Sequence, residues 1–446
     1  LKYKDIMNKF KISILLSAAC LLPLTSCFKE EDDFFEESSA QRLNHSMEEY
    51  HNAIISAENG WVLQYFANTG EQGYPLLVKF SEDGSVTMAA NNNYSSGNQY
   101  KEERSLYEVI GDDGPVLSFN SYNSLLHVFS NPVDIPDTSD EDEDGVGHEG
   151  DYEFRFISMS ADGNTIYMKG KKYNLDIRLT RLSDTQNWEA YYTDLAAVKS
   201  AHFPSVVKKI WLDADGERYS ITGMSNGLME FVPEGGDPIA ETTKLSYIVY
   251  LDGSVHLCEP FKGDDENFEV QDFALNEEGI LVCTNEGQNA VISAGDMPTY
   301  LVDNTWRMDK NATTGGIIDA YNALVGEFRA AGYGSIQYVE FAYDSDLESF
   351  TLFFRSTSFN AKYCVNVEKS GESATLAFNR EATQAAADGG DSDAANGLVF
   401  YDSLTSVPAF VSAVMKPYTI TANSPLGTTT LTLTDASGNV LTLSLR

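Results

Sequence analysis

Short runs of alternating apolar and polar residues make up most of this chain, and three longer stretches of helical spacing interrupt them. The first is residues 38–59, where Leu43, Met47, Tyr50 and Ile54 recur on one face and Asn59-Gly60 supplies a stop signal. The second is 187–200, with Trp188, Tyr191, Tyr192, Leu195 and Val198 available for one face. The third is 316–331, where Ile317, Tyr321, Leu324 and Phe328 share a face and Gly332 is placed to cap. Strands are predicted behind each helix. The first set is 61–67 (WVLQYFA), 76–80, 85–89, 105–110, 116–119, 152–158, 165–169 and 176–182, with Asp83-Gly84 as a hairpin turn. The second is 206–212, 218–222, 228–232, 245–251, 255–258, 269–275 and 280–284, with turns at Asp215-Gly216 and Asp252-Gly253. The third is 336–343, 350–355, 363–367 and 375–378, closed by the hairpin TTTLTLT and VLTLSL around residues 435–439. Residues 381–397 read as a loop with a helical start, and 404–415 as a short helix.

This pattern predicts a mainly β protein with a few helices. Its units are antiparallel sandwich-like or barrel-like domains, each preceded by a helix that can cover an open sheet face or edge. The expected units are 38–185, a second β-rich unit at 186–303 and a C-terminal α+β unit at 304–446.

Ahead of them the pattern changes. Lys9 and Lys11 precede an apolar run, 12–22, that is too short to span a bilayer and is flanked as a secretory signal is. Translation is expected to start at Met7. Leu24-Thr25-Ser26-Cys27 resembles the lipobox of bacterial lipoproteins, in which the cysteine is acylated and becomes the mature first residue. Residues 1–26 are thus expected to be removed, leaving 27–37 as a lipidated acidic tether. Cys20 lacks the preceding small residues. Lys29, Glu30, Glu31, Asp32 and Asp33 are similar to the acidic signal that sends Bacteroidota lipoproteins to the outer face of the outer membrane.

The 446 residues are 42% hydrophobic, enough for packed cores. A net charge of −37 excludes nucleic-acid binding as a main role, because phosphate contacts need Lys and Arg. It disfavours anionic ligands for the same reason, and it also keeps a secreted surface soluble. After Cys27 come Cys258, Cys283 and Cys364, an odd set that implies no disulfide framework. Cys258 and Cys283 lie in neighbouring predicted strands, where a bridge is conceivable and buried thiols are the better expectation.

Three stretches carry a family resemblance: Gly60-Trp61-Val62-Leu63-Gln64-Tyr65, LSFNSYNSLLHVFS at 117–130, and Gly150-Asp151-Tyr152-Glu153-Phe154 with Lys169-Gly170-Lys171-Lys172. With the lipobox they resemble an uncharacterised family of Bacteroidota outer-membrane lipoproteins, a domain of unknown function found beside SusC/SusD-type nutrient importers. The resemblance is clearest over 38–185. It implies an outer-membrane, cell-surface setting and nutrient uptake, and it assigns no catalytic residue.

Candidate chemistry is sparse. His45, His51, His127, His148, His202 and His256 form no HExxH, and no CxxC is present, so zinc has no motif. Asp140, Asp142 and Asp144 with Gly145 fit D-x-D-x-D-G, and Asp151 falls at loop position twelve, the oxygen spacing that calcium takes. Against this, the last ligand is not Glu, Gly147 replaces an apolar residue and a strand follows; the competing reading is a low-complexity acidic loop. The absence of G-x-S-x-G leaves a hydrolase unmotivated. Trp61, Trp188, Trp211 and Trp306 recur near the unit starts, which favours core packing over a sugar platform. Tyr94 and Tyr100, in the polar loop NNNYSSGNQY, are the expected exposed rings for stacking a glycan or peptide. The expected role is a non-catalytic accessory of the importer, binding glycan or peptide weakly or docking onto the importer. The alternatives are a surface hydrolase of glycans or peptides and a structural or adhesive surface protein.

Overall fold

The computed structural model describes residues 38–131, 148–214, 216–224, 227–263 and 268–446. Cys27, Lys29, Glu30, Glu31, Asp32 and Asp33, and the aspartates Asp140, Asp142 and Asp144, lie outside the described residues. Ser38 and Gln41 cap each other at 3.0 and 3.3 Å and start α1 (Ser39–Ile55). The apolar stripe of α1 lies on a sheet: a Cβ at Gly111 would come within 3.0 Å of both Leu43 and Met47.

That sheet contains β1 (Trp61–Tyr65), β2 (Tyr74–Phe80), β3 (Ser85–Ala90), β4 (Lys101–Leu106), β5 (Glu108–Gly111), β6 (Pro115–Ser118), β7 (Glu153–Met159), β8 (Thr165–Gly170) and β9 (Asp176–Arg181), with a one-turn helix α2 (Ser124–His127) after β6. Its antiparallel order is β4-β3-β2-β1-β9-β8-β7-β6-β5. The two edge strands, β4 and β5, are separated in the chain by Tyr107 alone, so the sheet has to curl until its edges meet there. The single strand expected at 105–110 is therefore two. The break is held by buried Tyr107, whose hydroxyl donates to Ser81 O at 3.0 Å.

The pattern of β1 suggested alternation, yet all five positions are buried. Trp61, Leu63 and Tyr65 belong to the core of the first unit, while Val62, with Phe66 just beyond the strand, joins a second core. The second face is covered by α3 (Trp188–His202) and by the next sheet. In α3, Tyr192 donates to Ala89 O at 2.8 Å and Pro75 O at 3.1 Å.

The second sheet is a closed antiparallel barrel of β10 (Ile210–Ala214), β11 (Glu217–Thr222), β12 (Leu228–Pro233), β13 (Thr243–Val249), β14 (Val255–Lys262), β15 (Glu269–Leu275), β16 (Leu281–Cys283) and β17 (Ala290–Ser293). It closes through β10 and β17, with Trp211 opposite Ser293. After α4 (Met297–Asp303) a second closed barrel follows. It runs through β18 (Trp306–Met308), α5 (Gly316–Ala330), β19 (Ile336–Asp344), β20 (Ser349–Ser356), β21 (Ala361–Ser370), β22 (Ser373–Phe378), α6 (Arg380–Asp388), α7 (Ser392–Ser403), α8 (Ser406–Val414), β23 (Pro417–Ala422), β24 (Thr430–Thr434) and β25 (Val440–Leu445). Trp306 opposite Leu445 closes it.

The loop with a helical start expected at 381–397 is in fact nearly all of α6 and the first half of α7. Asn379 and Asp391 cap the two helices with their side chains, and the alanine-rich stretch between favours helix. Gly397 lets α7 lie on β21, since a Cβ there would meet Lys362 O at 2.5 Å. Cys258, Cys283 and Cys364 are free thiols, so the bridge between the first two does not form. No single helix among the described residues is long and apolar enough to cross a membrane.

Candidate functional site

The stretch 117–130 builds an exposed aromatic row on the first unit. Asn123 caps α2 by accepting from Leu125 N at 3.0 Å, and Leu125, Leu126 and Phe129 turn into the core. His127 is left at the surface side with both nitrogens fixed. Its Nδ1 accepts from Asn123 N at 3.1 Å, so Nε2 carries the proton and donates to Phe119 O at 3.0 Å. Burial lowers the His127 pKa, which keeps the ring neutral at pH 7. Tyr122, 60% exposed, lies 5.4 Å from this imidazole, and Tyr152, 42% exposed, lies 5.0 Å away on the other flank, with interplanar angles of 33° and 30°. On the adjoining β4, Lys101 donates to Ser124 Oγ at 2.8 Å, adding a polar rim. Three aligned rings, the outer two open to solvent, can stack on the C–H face of a sugar.

A second concentration of polar groups lies between the first unit and the barrel that follows it. Arg178 on β9 grips Asp272 on β15 with two hydrogen bonds, 2.6 and 3.0 Å. His256 Nδ1 meets the same carboxylate at 3.0 Å. Tyr250 donates to Gln64 at 2.6 Å, and Gln64 donates to Thr180 at 2.7 Å. A cleft of about 300 Å³ opens beside them, walled by Tyr167, Arg178, Tyr250 and Asp272 among others. Burial works to raise the Asp272 pKa, but the bonds and charges of His256 and Arg178 outweigh it and hold the carboxyl well below the usual range. Burial lowers the His256 pKa, with Arg178 adding to the effect and Asp272 opposing it. His256 is fully buried, its Nε2 has no hydrogen-bond partner among the described residues and its ring meets Phe66 at 5.9 Å. Cys258, two residues along β14, is also fully buried, and burial raises its thiol pKa away from nucleophilic use. The arrangement is a clamp between two sheets.

The tyrosines expected to be exposed are not. Tyr94 packs at 4.6 Å on His148 and at 6.0 Å on Tyr74, over a buried Glu71–His148 pair. Tyr100 packs at 6.2 Å on Tyr192 and bonds Glu102. Their surroundings come from distant parts of the chain, which the local polar composition does not report. Asp151 is 9% exposed, and its two carboxylate oxygens accept from Lys172 N and Tyr173 N, both at 2.9 Å. It fastens the turn at 170–173, where a Cβ on Gly170 would sit 2.2 Å from Asp151 Oδ2. Among the described residues no three His, Cys, Asp or Glu side chains converge to hold a metal. Tyr122, His127 and Tyr152 lay inside the family-like stretches, but their exposure had no local signal.

Residues 31–277, more than half of the chain, match the model of a family described as Domain of unknown function (DUF4302). No curated protein matches. The crystal structure of the beta subunit from DNA polymerase of Streptococcus pyogenes aligns over 90% of this chain and 98% of that one, at 10% identity and a TM-score of 0.14, too slight a likeness to bear on fold or function.

Proposed function

We propose a function on the premise that this chain belongs to the DUF4302 family: it is a non-catalytic, lipid-anchored surface protein that holds glycan for a SusC/SusD-type importer. The lipobox at Cys27 and the acidic run Glu30 to Asp33 behind Lys29 motivate the location. The observation that carries the binding role is the exposed row Tyr122–His127–Tyr152. A neutral imidazole between two solvent-open phenols suits an uncharged sugar, and the net charge of −37 opposes polyanions at that surface. An accessory has to release what it holds, so micromolar to millimolar affinity, about −8 to −4 kcal/mol, is the working range.

The test is calorimetric titration with neutral oligosaccharides. Tyr122→Ala and Tyr152→Ala should each weaken binding about tenfold, ~1.4 kcal/mol, without moving the melting temperature. Sugar release at enzymatic rates would replace this reading with the hydrolase one. Unchanged affinity in both variants would remove the aromatic row from the account.

A further inference from the structure

The C-terminal barrel lies beyond the matched region and carries a cleft of its own, about 330 Å³ in volume. It forms where the loop after β18 and helix α5 meet the outer faces of β18, β19 and β25. Alternation along β18 sends Trp306 into the core and Arg307 outward, opposite Glu340 and Ser444. The Arg307 guanidinium lies 3.7 Å from the centre of the Tyr338 ring, and its Nε is held by Glu340 at 3.1 Å. These two contacts fix the plane of the guanidinium and leave its remaining donors for a ligand.

Lys310 and Arg446 also line the cleft, and neither has an acidic partner among the described residues. Asp309 lines it too, with one carboxylate oxygen taken by Asn311 N at 2.8 Å. Tyr321 lines the same cleft at 8% exposure, and its hydroxyl is a further donor there.

We propose that this cleft binds the carboxylate of an acidic sugar, a uronic acid residue being the chemical class. The planar fork of Arg307 suits a carboxylate, Lys310 adds a point charge, Tyr321 is a donor, and the volume suits one pyranose ring. The net charge of the whole chain does not forbid this. At physiological salt it is screened beyond about 8 Å, so the local cations decide. The inference is independent of the aromatic row, which lies on the first unit.

The full chain would be titrated with glucuronate, glucose and inorganic phosphate by calorimetry or ligand-observed NMR. Glucuronate should bind at least tenfold more tightly than glucose or phosphate, and more weakly as ionic strength rises. Lys310→Ala and Tyr321→Phe should each weaken it several-fold with the melting temperature unchanged, since neither change removes a contact within the protein. Arg307→Lys, which keeps the charge and loses the fork, should weaken it about tenfold. Equal binding of glucose would overturn the carboxylate assignment, and tighter binding of phosphate would overturn the sugar. No glucuronate binding, or binding indifferent to all three substitutions, would overturn the site.

Discussion

His256 and Asp272 are sixteen positions apart in sequence, and Arg178 is farther still, yet together they bind two sheets. No spacing rule joins them, which is why the sequence offers the histidine alone and not its role. Their ionisation gives a test. His256 has a lowered pKa in the fold, so the unfolded chain takes up the proton first. The contribution is complete above the ordinary histidine value of about 6.5 and falls as pH drops below it. Asp272 is also lowered, so its contribution is complete above about 4 and is lost on further acidification. The melting temperature should therefore fall between pH 7.5 and 5, and His256→Asn should flatten part of that slope. Part should remain, because His127 and His202 are lowered as well. A steeper slope in His256→Asn would contradict the assignment. Asp272→Ala, which strands a largely buried Arg178, should cost about 3 kcal/mol in urea unfolding.

The tryptophans show what an element can reveal in advance. Their recurrence near the unit starts suggested packing, and the geometry gives the reason. Trp61 opens β1 and donates its indole N–H to Ile54 O in α1 at 2.8 Å. Trp306 opens β18 and does the same to Leu301 O in α4 at 2.9 Å. Each ties a helix end, where carbonyls lack partners, to the first strand of its sheet. Trp211 solves the same position differently, with Lys209 and Arg218 over its ring at 4.6 and 4.4 Å. Trp61→Phe should cost about 1–3 kcal/mol by leaving Ile54 O unmet, and Trp61→Ala about 3–5 kcal/mol, both read from urea midpoints. Equal effects would mean that the ring's packing adds nothing, and a Trp61→Phe variant as stable as the wild type would mean that the hydrogen bond contributes nothing. The short helix expected at 404–415 is α8, and its cap comes from elsewhere. The Glu327 carboxylate on α5 accepts from Ser406 N at 2.6 Å and from Thr405, capping α8, and these bonds pull its pKa down to about 2. A cap supplied from so far along the chain leaves no signature beside the helix it starts.

At the scale of the whole molecule, the β-dominated, barrel-like class was legible because hairpin turns and alternating runs are local. Closure was not, because it depends on pairings such as Trp211 with Ser293 and Trp306 with Leu445. Closure also separates ancestry from folding. The family match stops at residue 277, in the turn between β15 and β16. A protein cut there would lose the two strands that join β15 back to β10, and the barrel would gape with two unpaired edges. The matched stretch is thus smaller than the stretch that closes the second sheet. A fragment of residues 38–277 should aggregate, while 38–303, which keeps β16 and β17, should stay monomeric by size-exclusion chromatography. A stable monomer from the shorter piece would mean that β10 and β15 can find each other without the strands between them. In this chain the matched span by itself is therefore an open barrel, and the last two strands of the second sheet are what turn a recognisable stretch into a closed one.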